Sequence, residues 1–178
     1  MSNAYTYKCG HIAHSIITPC RIGRPFSTEN ASAEVNALWD TGATCTCISE
    51  DLAIAIGLLP DDETELTVGD NRKVKSRVYS VQLNMGDFVV PYIRVNSLPP
   101  NRTHDVIIGM DIISMGDLTI SNYSGQTTLS FRFPSICEKD YRHELDRYQK
   151  IHAAWIKTGN NKCPCGSHKL WENCHGKE

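Results

Sequence analysis

Leu38-Trp39-Asp40-Thr41-Gly42-Ala43 is the stretch on which the reading of this chain turns. It sets an acidic residue between two runs of strand-forming residues, Glu34 to Trp39 before it and Cys45 to Ile48 after it. A carboxylate so placed, with a small hydroxyl residue and a glycine behind it, suits peptide hydrolysis by an activated water. Acid-type chemistry of that kind needs two carboxylates close enough to share a proton. The chain carries a single Asp-Thr-Gly and no Asp-Ser-Gly, so one chain supplies half a site. A twofold axis repeats every residue at no sequence cost, and a symmetric homodimer is the implied arrangement.

Outward from the loop, Ser49 has N-cap chemistry, and Glu50 and Asp51 suit the first turn of a helix through Leu52–Ile56. Gly57 stands where that helix should stop. From Glu63 to Val95 the apolar residues alternate at period two, a β ribbon with turns at Gly69-Asp70-Asn71 and Met85-Gly86-Asp87. The first turn tips a hairpin polar on both sides, which suits a mobile cover better than a core strand. Asp105-Val-Ile-Ile-Gly-Met-Asp-Ile-Ile113 reads as a buried strand interrupted by Gly109 and followed by one or two helical turns. Asp105 is a strand-entry residue in this reading, and Asp111 and Asp117 are helix or turn residues. Leu118–Asn122 and Thr127–Phe133 form a hairpin around Ser124-Gly125. Toward the start, residues 14–22 form an opening strand with Pro19 at an edge or bulge. Cys9, His11 and His14 belong to an ordinary N-terminal segment. Cys45 and Cys47 alternate along a strand and should face opposite sides.

Pro134 marks a boundary. Ser135-Ile-Cys-Glu138 has capping-box spacing, and Tyr141, Leu145, Tyr148, Ile151 or His152, and Trp155 form one helical stripe. That stripe could dock on the β domain or on a symmetry mate. Beyond Gly159, Cys163-Pro-Cys165-Gly and Cys174-His175 place three thiolates and an imidazole within a short span. This donor set matches a closed, structural zinc site. So small a segment lacks an apolar core, and the metal must stabilise it. With four protein ligands no position stays open, so the zinc has no hydrolytic role and catalysis needs no cofactor. His168 competes with His175 as fourth ligand.

Composition narrows the remaining classes. Over 178 residues, 40% are hydrophobic and 21% charged, and the net charge is −2. This describes a globular protein without a nucleic-acid surface. No run approaches the roughly 18 apolar residues of a membrane span, and the N-terminus lacks a signal-type apolar core. A cytoplasmic protein is expected, with its eight cysteines as thiols and metal ligands.

The run Ala37 to Ser49, with Val106-Ile-Ile-Gly-Met-Asp-Ile112 as a second block, resembles the retropepsin-like aspartic proteases, nearer their bacterial branch than the viral enzymes. The likeness covers about residues 14–133. It implies a mainly β fold, a closed β-barrel with one lobe per chain, here followed by a helix and a zinc knuckle. The implied division is 1–134 for the protease domain, 135–159 for the helix and 160–178 for the knuckle. The resemblance makes Asp40, with Thr41 and Gly42, the catalytic loop, and sets Ala43 at the cleft. It makes Val68, Gly69 and Asp70 part of a flap over a polypeptide substrate. The segment from Cys163 to His175 resembles the SEC-C motif, first recognised at the C-terminus of the SecA translocation ATPase. That likeness implies a tail docking a substrate or protein partner. Two other readings use the same features: a peptide-binding adaptor that does not cut, and a docking module linked to translocation or chaperones.

Overall fold

The computed structural model describes residues 3–26, 32–69, 71–98 and 104–177. Asp70 lies outside them. The first half of the chain runs through β1 (Asn3–Lys8), β2 (Ile17–Gly23), β3 (Ser32–Trp39), β4 (Cys47–Ile48) and α1 (Glu50–Ala55). It continues with β5 (Asp62–Thr67), β6 (Lys73–Met85) and β7 (Phe88–Ser97). After these come β8 (Val106–Ile108), α2 (Met110–Ile113), β9 (Asp117–Ser121), β10 (Thr128–Phe133) and α3 (Tyr141–Ile156). The chain divides into two compact units, Met1–Ile136 and Cys137–Glu178.

The first unit is built on a sheet in the order β2-β3-β8-β4-β7-β6-β5. Strand β6 also pairs back on β2 through Ile22 and Leu83, which closes β2, β3, β8, β4, β7 and β6 into a six-stranded barrel. One strand can serve three neighbours because it is 13 residues long and shifts register between Val81 and Leu83. Such irregularities bend and twist a strand. Strand β8 explains its own apolar sequence. It lies parallel to β3 and antiparallel to β4, and Val106 and Ile108 are fully buried.

The mostly exposed β5 extends the sheet beyond the closed barrel. A second sheet, β1-β10-β9, adds Leu129 and Phe131 to the core. Phe131 packs at 5.5 Å from Trp39 and edge-on at 5.0 Å from Phe88. Burying such a ring contributes about 1.5–3 kcal/mol. In β1, Tyr5 is buried and Tyr7 half-buried between exposed Ala4, Thr6 and Lys8, the period of a strand.

Ser49 caps α1 as its chemistry predicts, its Oγ accepting from the Leu52 N–H at 3.2 Å. The cap of α3 differs from the expected Ser135–Glu138 box. Asp140 is the N-cap, accepting from the Arg142 and His143 N–H groups. Ser135 instead donates to Asp117 Oδ1 at 2.6 Å, and the Ile136 N–H donates to Asp117 Oδ2 at 3.1 Å. Asp117 thereby holds residues 135 and 136 to β9. In the second unit, Tyr148 and His152 of the α3 stripe pack on the cysteine segment. His152 stacks on Trp171 at 4.5 Å, and Tyr148 lies 4.9 Å from the His175 ring.

Candidate active-site loop and metal centre

Asp40 directly follows β3, and its N–H donates to the Ile108 carbonyl at 3.0 Å, carrying the β3–β8 ladder one residue further. Its Oδ1 accepts from the Gly42 N–H at 2.8 Å, and its carbonyl from the Ala43 N–H at 3.2 Å. The Ala43 carbonyl accepts from Met110 N–H at 2.8 Å. Both ends of the loop are thus tied to the segment joining β8 and α2. Asp40 and Ala43 are half-buried, and Thr41 and Gly42 are exposed. A Cβ at Gly42 would lie 3.1 Å from Asp40 Oδ1, so a larger residue would press on the carboxylate. Gly109 is more tightly constrained, since its Cβ would meet the Cys45 backbone at 2.5 Å. Only glycine lets β8 pass this close beneath the loop.

Asp111 is a helix residue, as its sequence position suggested, and its side chain also reaches outside α2. Its carboxylate accepts from the Thr46 N–H at 2.8 Å and from the Thr46 hydroxyl at 2.7 Å. The hydroxyl in turn accepts from the Gly109 N–H at 3.1 Å. Thr46 is fully buried, and buried polar groups need partners. The signal available in sequence was a pair of polar residues, Thr46 and Asp111, each set in an apolar run.

Cys45 and Cys47 also depart from expectation. Cys45 precedes β4, so strict alternation does not apply, and the two Sγ atoms lie 4.0 Å apart.

The β5–β6 hairpin ends in a tight turn. The Val68 N–H donates to the Arg72 carbonyl at 2.9 Å and the Asn71 N–H to the Val68 carbonyl at 2.8 Å. Asn71 adopts φ +61°, which Asn tolerates better than most residues. Gly69 is exposed with open space around its Cβ position.

In the second unit Cys163, Cys165, Cys174 and His175 offer donor atoms all within 4.8 Å of one another. His175 Nδ1 lies 3.2 Å from Cys163 Sγ and 3.3 Å from Cys174 Sγ, and the Cys165 and Cys174 sulfurs are 3.6 Å apart. A tetrahedron with metal–sulfur bonds of about 2.3 Å has edges near 3.8 Å, so the cluster could hold a metal with little movement. A hydrogen bond from the Ser167 hydroxyl is the main influence drawing the Cys165 thiol down to about 6, toward the thiolate that binds metal. His168 is outside the cluster, at φ +61°.

Residues 28–115 match the family described as gag-polyprotein putative aspartyl protease. The matched stretch runs from before β3 through α2 and includes Asp40 and Gly109. Among solved structures, the chain is similar to a retropepsin-like aspartic protease from Rickettsia conorii at 11% identity and TM-score 0.49, covering 75% of this chain and 96% of that one. The retroviral protease-like domain of Ddi1 from Leishmania major is 19% identical, with TM-score 0.43 and coverage of 72% and 99%. The EIAV protease complexed with the inhibitor HBY-793 is 18% identical, with TM-score 0.40 and coverage of 58% and 88%. No helix among the described residues is long and apolar enough to cross a membrane.

Proposed function

We propose that two copies of this chain pair to form an aspartic endopeptidase, each contributing Asp40 to one site. The supporting observation is the fixed acidic loop, with the Asp40 backbone on Ile108 and its Oδ1 on Gly42. Two carboxylates about 3 Å apart hold one proton between them. The ionised partner takes a proton from a bridging water while the protonated one polarises the scissile carbonyl, with no covalent intermediate. The apparent pKa values belong to the pair. Thr41, exposed in the single chain, would hydrogen-bond across the twofold axis, and Ala43 would border the substrate. The hairpin tip at Val68 and Gly69, with Asp70, would fold over an extended polypeptide and exclude water.

The knuckle would hold one structural Zn²⁺ through Cys163, Cys165, Cys174 and His175, in a tail of SEC-C kind that docks a substrate or protein partner. A donor set of three thiols suits a reducing, cytoplasmic setting.

The deciding experiment compares wild type with Asp40→Asn on an unfolded protein substrate between about pH 4 and pH 7. Wild type should cut, and the variant should be inactive while keeping the mass of a dimer. Peptide binding without turnover by wild type would make the domain an adaptor instead, and a strictly monomeric species that still cuts would refute the shared site.

A further inference from the structure

Cys45 and Cys47 flank Thr46 at the end of the Asp40 loop, and neither is in a disulfide. Their sulfurs are 4.0 Å apart. The Asn96 amide donates to Cys45 Sγ at 3.3 Å, orienting it, and the Cys47 thiol donates to the Cys45 carbonyl at 3.6 Å. Cys45 is half-buried and Cys47 buried. Disulfide sulfurs sit about 2.05 Å apart, so bonding requires these two to close by roughly 2 Å. The single residue between them is Thr46, which Asp111 and Gly109 hold by its N–H and hydroxyl. Any closure of the sulfurs acts on that residue.

We propose that Cys45 and Cys47 are a dithiol switch, oxidised by a hydroperoxide to an intrachain disulfide that pulls Thr46 off Asp111 and slackens the Asp40 loop. Its consequence for cleavage rests on the aspartic peptidase reading above. Cys45, the more accessible sulfur, attacks the O–O bond as thiolate. One oxygen becomes a sulfenic acid on Cys45 and the other leaves as water when the oxidant is hydrogen peroxide. The Cys47 sulfur then attacks the Cys45 sulfur, the S–S bond forms, and the sulfenic oxygen leaves with a proton as a second water. Two thiols have lost two hydrogens, and the peroxide has been reduced to two waters. A small ring closed around one residue is strained. Strained disulfides are the readily reduced, regulatory kind, so a cellular dithiol can reverse the step by exchange.

The full-length protein is treated with stoichiometric hydrogen peroxide, its remaining thiols are alkylated, and its peptides are mapped by mass spectrometry. The expected product is a Cys45–Cys47 disulfide, with Thr46 amide exchange faster by about tenfold or more, cleavage reduced in step, and both restored by dithiothreitol. Cys45→Ser and, independently, Cys47→Ala should keep activity in peroxide, which separates this event from oxidation of the knuckle thiols. Reduced wild type that never cuts would refute the peptidase reading and leave Thr46 exchange to decide the switch. Absence of a Cys45–Cys47 disulfide, or its formation with Thr46 exchange unchanged, overturns the proposal.

Discussion

Replacing Asp111 tests whether the acidic loop is held from beneath. Asp111→Ala removes the acceptor of three hydrogen bonds; the Ile112 N–H keeps the Gly109 carbonyl, but the N–H and hydroxyl of a fully buried Thr46, bonded at 2.8 and 2.7 Å, are left facing a gap. A buried donor left unsatisfied costs about 1–3 kcal/mol. Asp111 itself is half-buried, so water can enter the gap and the cost falls toward the low end, about 2–3 kcal/mol for the pair. In a protein of this size that lowers the melting temperature of the β unit by roughly 4–12 °C. Asp111→Asn keeps one carbonyl acceptor for the Thr46 N–H and turns its amide toward the hydroxyl, which can accept, while the Ile112 N–H loses Oδ1 and keeps the Gly109 carbonyl. Its cost should be about 1 kcal/mol, the difference between a charge-assisted and a neutral bond. Scanning calorimetry gives the melting temperatures, and amide exchange at Thr46 reports the local effect. If asparagine costs as much as alanine, or both shift stability by under about 0.5 kcal/mol, the carboxylate does not hold the loop.

The other predictions address the crossing strand, the acid limb and the metal. Gly109→Ala places a methyl 2.5 Å from the Cys45 backbone, so the β unit should lose several kcal/mol or fail to fold, seen as lost cooperative melting. Asp117 is held below the ordinary carboxylate range, first by the Ser135 hydroxyl and then by the Arg132 guanidinium and Ile136 N–H. The unfolded chain therefore binds the proton more readily. The stabilisation is complete above about pH 4 and is lost as pH falls further. Asp117→Asn should flatten that acid limb in melting curves taken between about pH 6 and pH 2. For the knuckle, elemental analysis should find one zinc per chain. Chelation or Cys174→Ser should melt α3, read by circular dichroism, because apparent zinc affinities of roughly 10–16 kcal/mol support such segments. Full helicity without zinc would show that the packing of Tyr148 and His152 suffices.

Legibility in the sequence followed the range of each interaction. The ribbon from β5 to β7, the cap at Ser49 and the β9–β10 hairpin depend on neighbours a few residues away, and local pattern showed them. The closure of the barrel is a long-range fact: β6 meets β2 some sixty residues away. The apolar block ending in Gly109 could be set beneath Asp40 only through the family likeness. The Cβ clash at that glycine supplies its physical reason. Asp111 is the helix residue expected, in the first turn of α2, but its bond to Thr46 was hidden because that partner lies 65 positions earlier. Cys45 and Cys47 were misread by extending β4 two residues too far, and strand ends are where period-two arguments are weakest. The three cysteines of the cluster were visible because their spacing is local, whereas the presence of His175 and not His168 beside them needed the fold.

The bonds that restrain the Asp40 loop run within one chain: Asp40 to Ile108, Gly42 to Asp40, Met110 to Ala43, Thr46 to Asp111. A loop restrained in this way loses little further freedom when a second copy arrives, so the ordering cost falls on folding and not on pairing. Loop variants and pairing variants should therefore separate experimentally. Weakening the Asp111 contact should lower the melting temperature and the cleavage rate together at any protein concentration. A defect confined to pairing should be recovered by raising concentration, since association follows mass action. Activity in Asp111→Ala that returns fully to the wild-type level at high protein concentration would mean that the second copy, and not β8 and α2, gives the loop its shape.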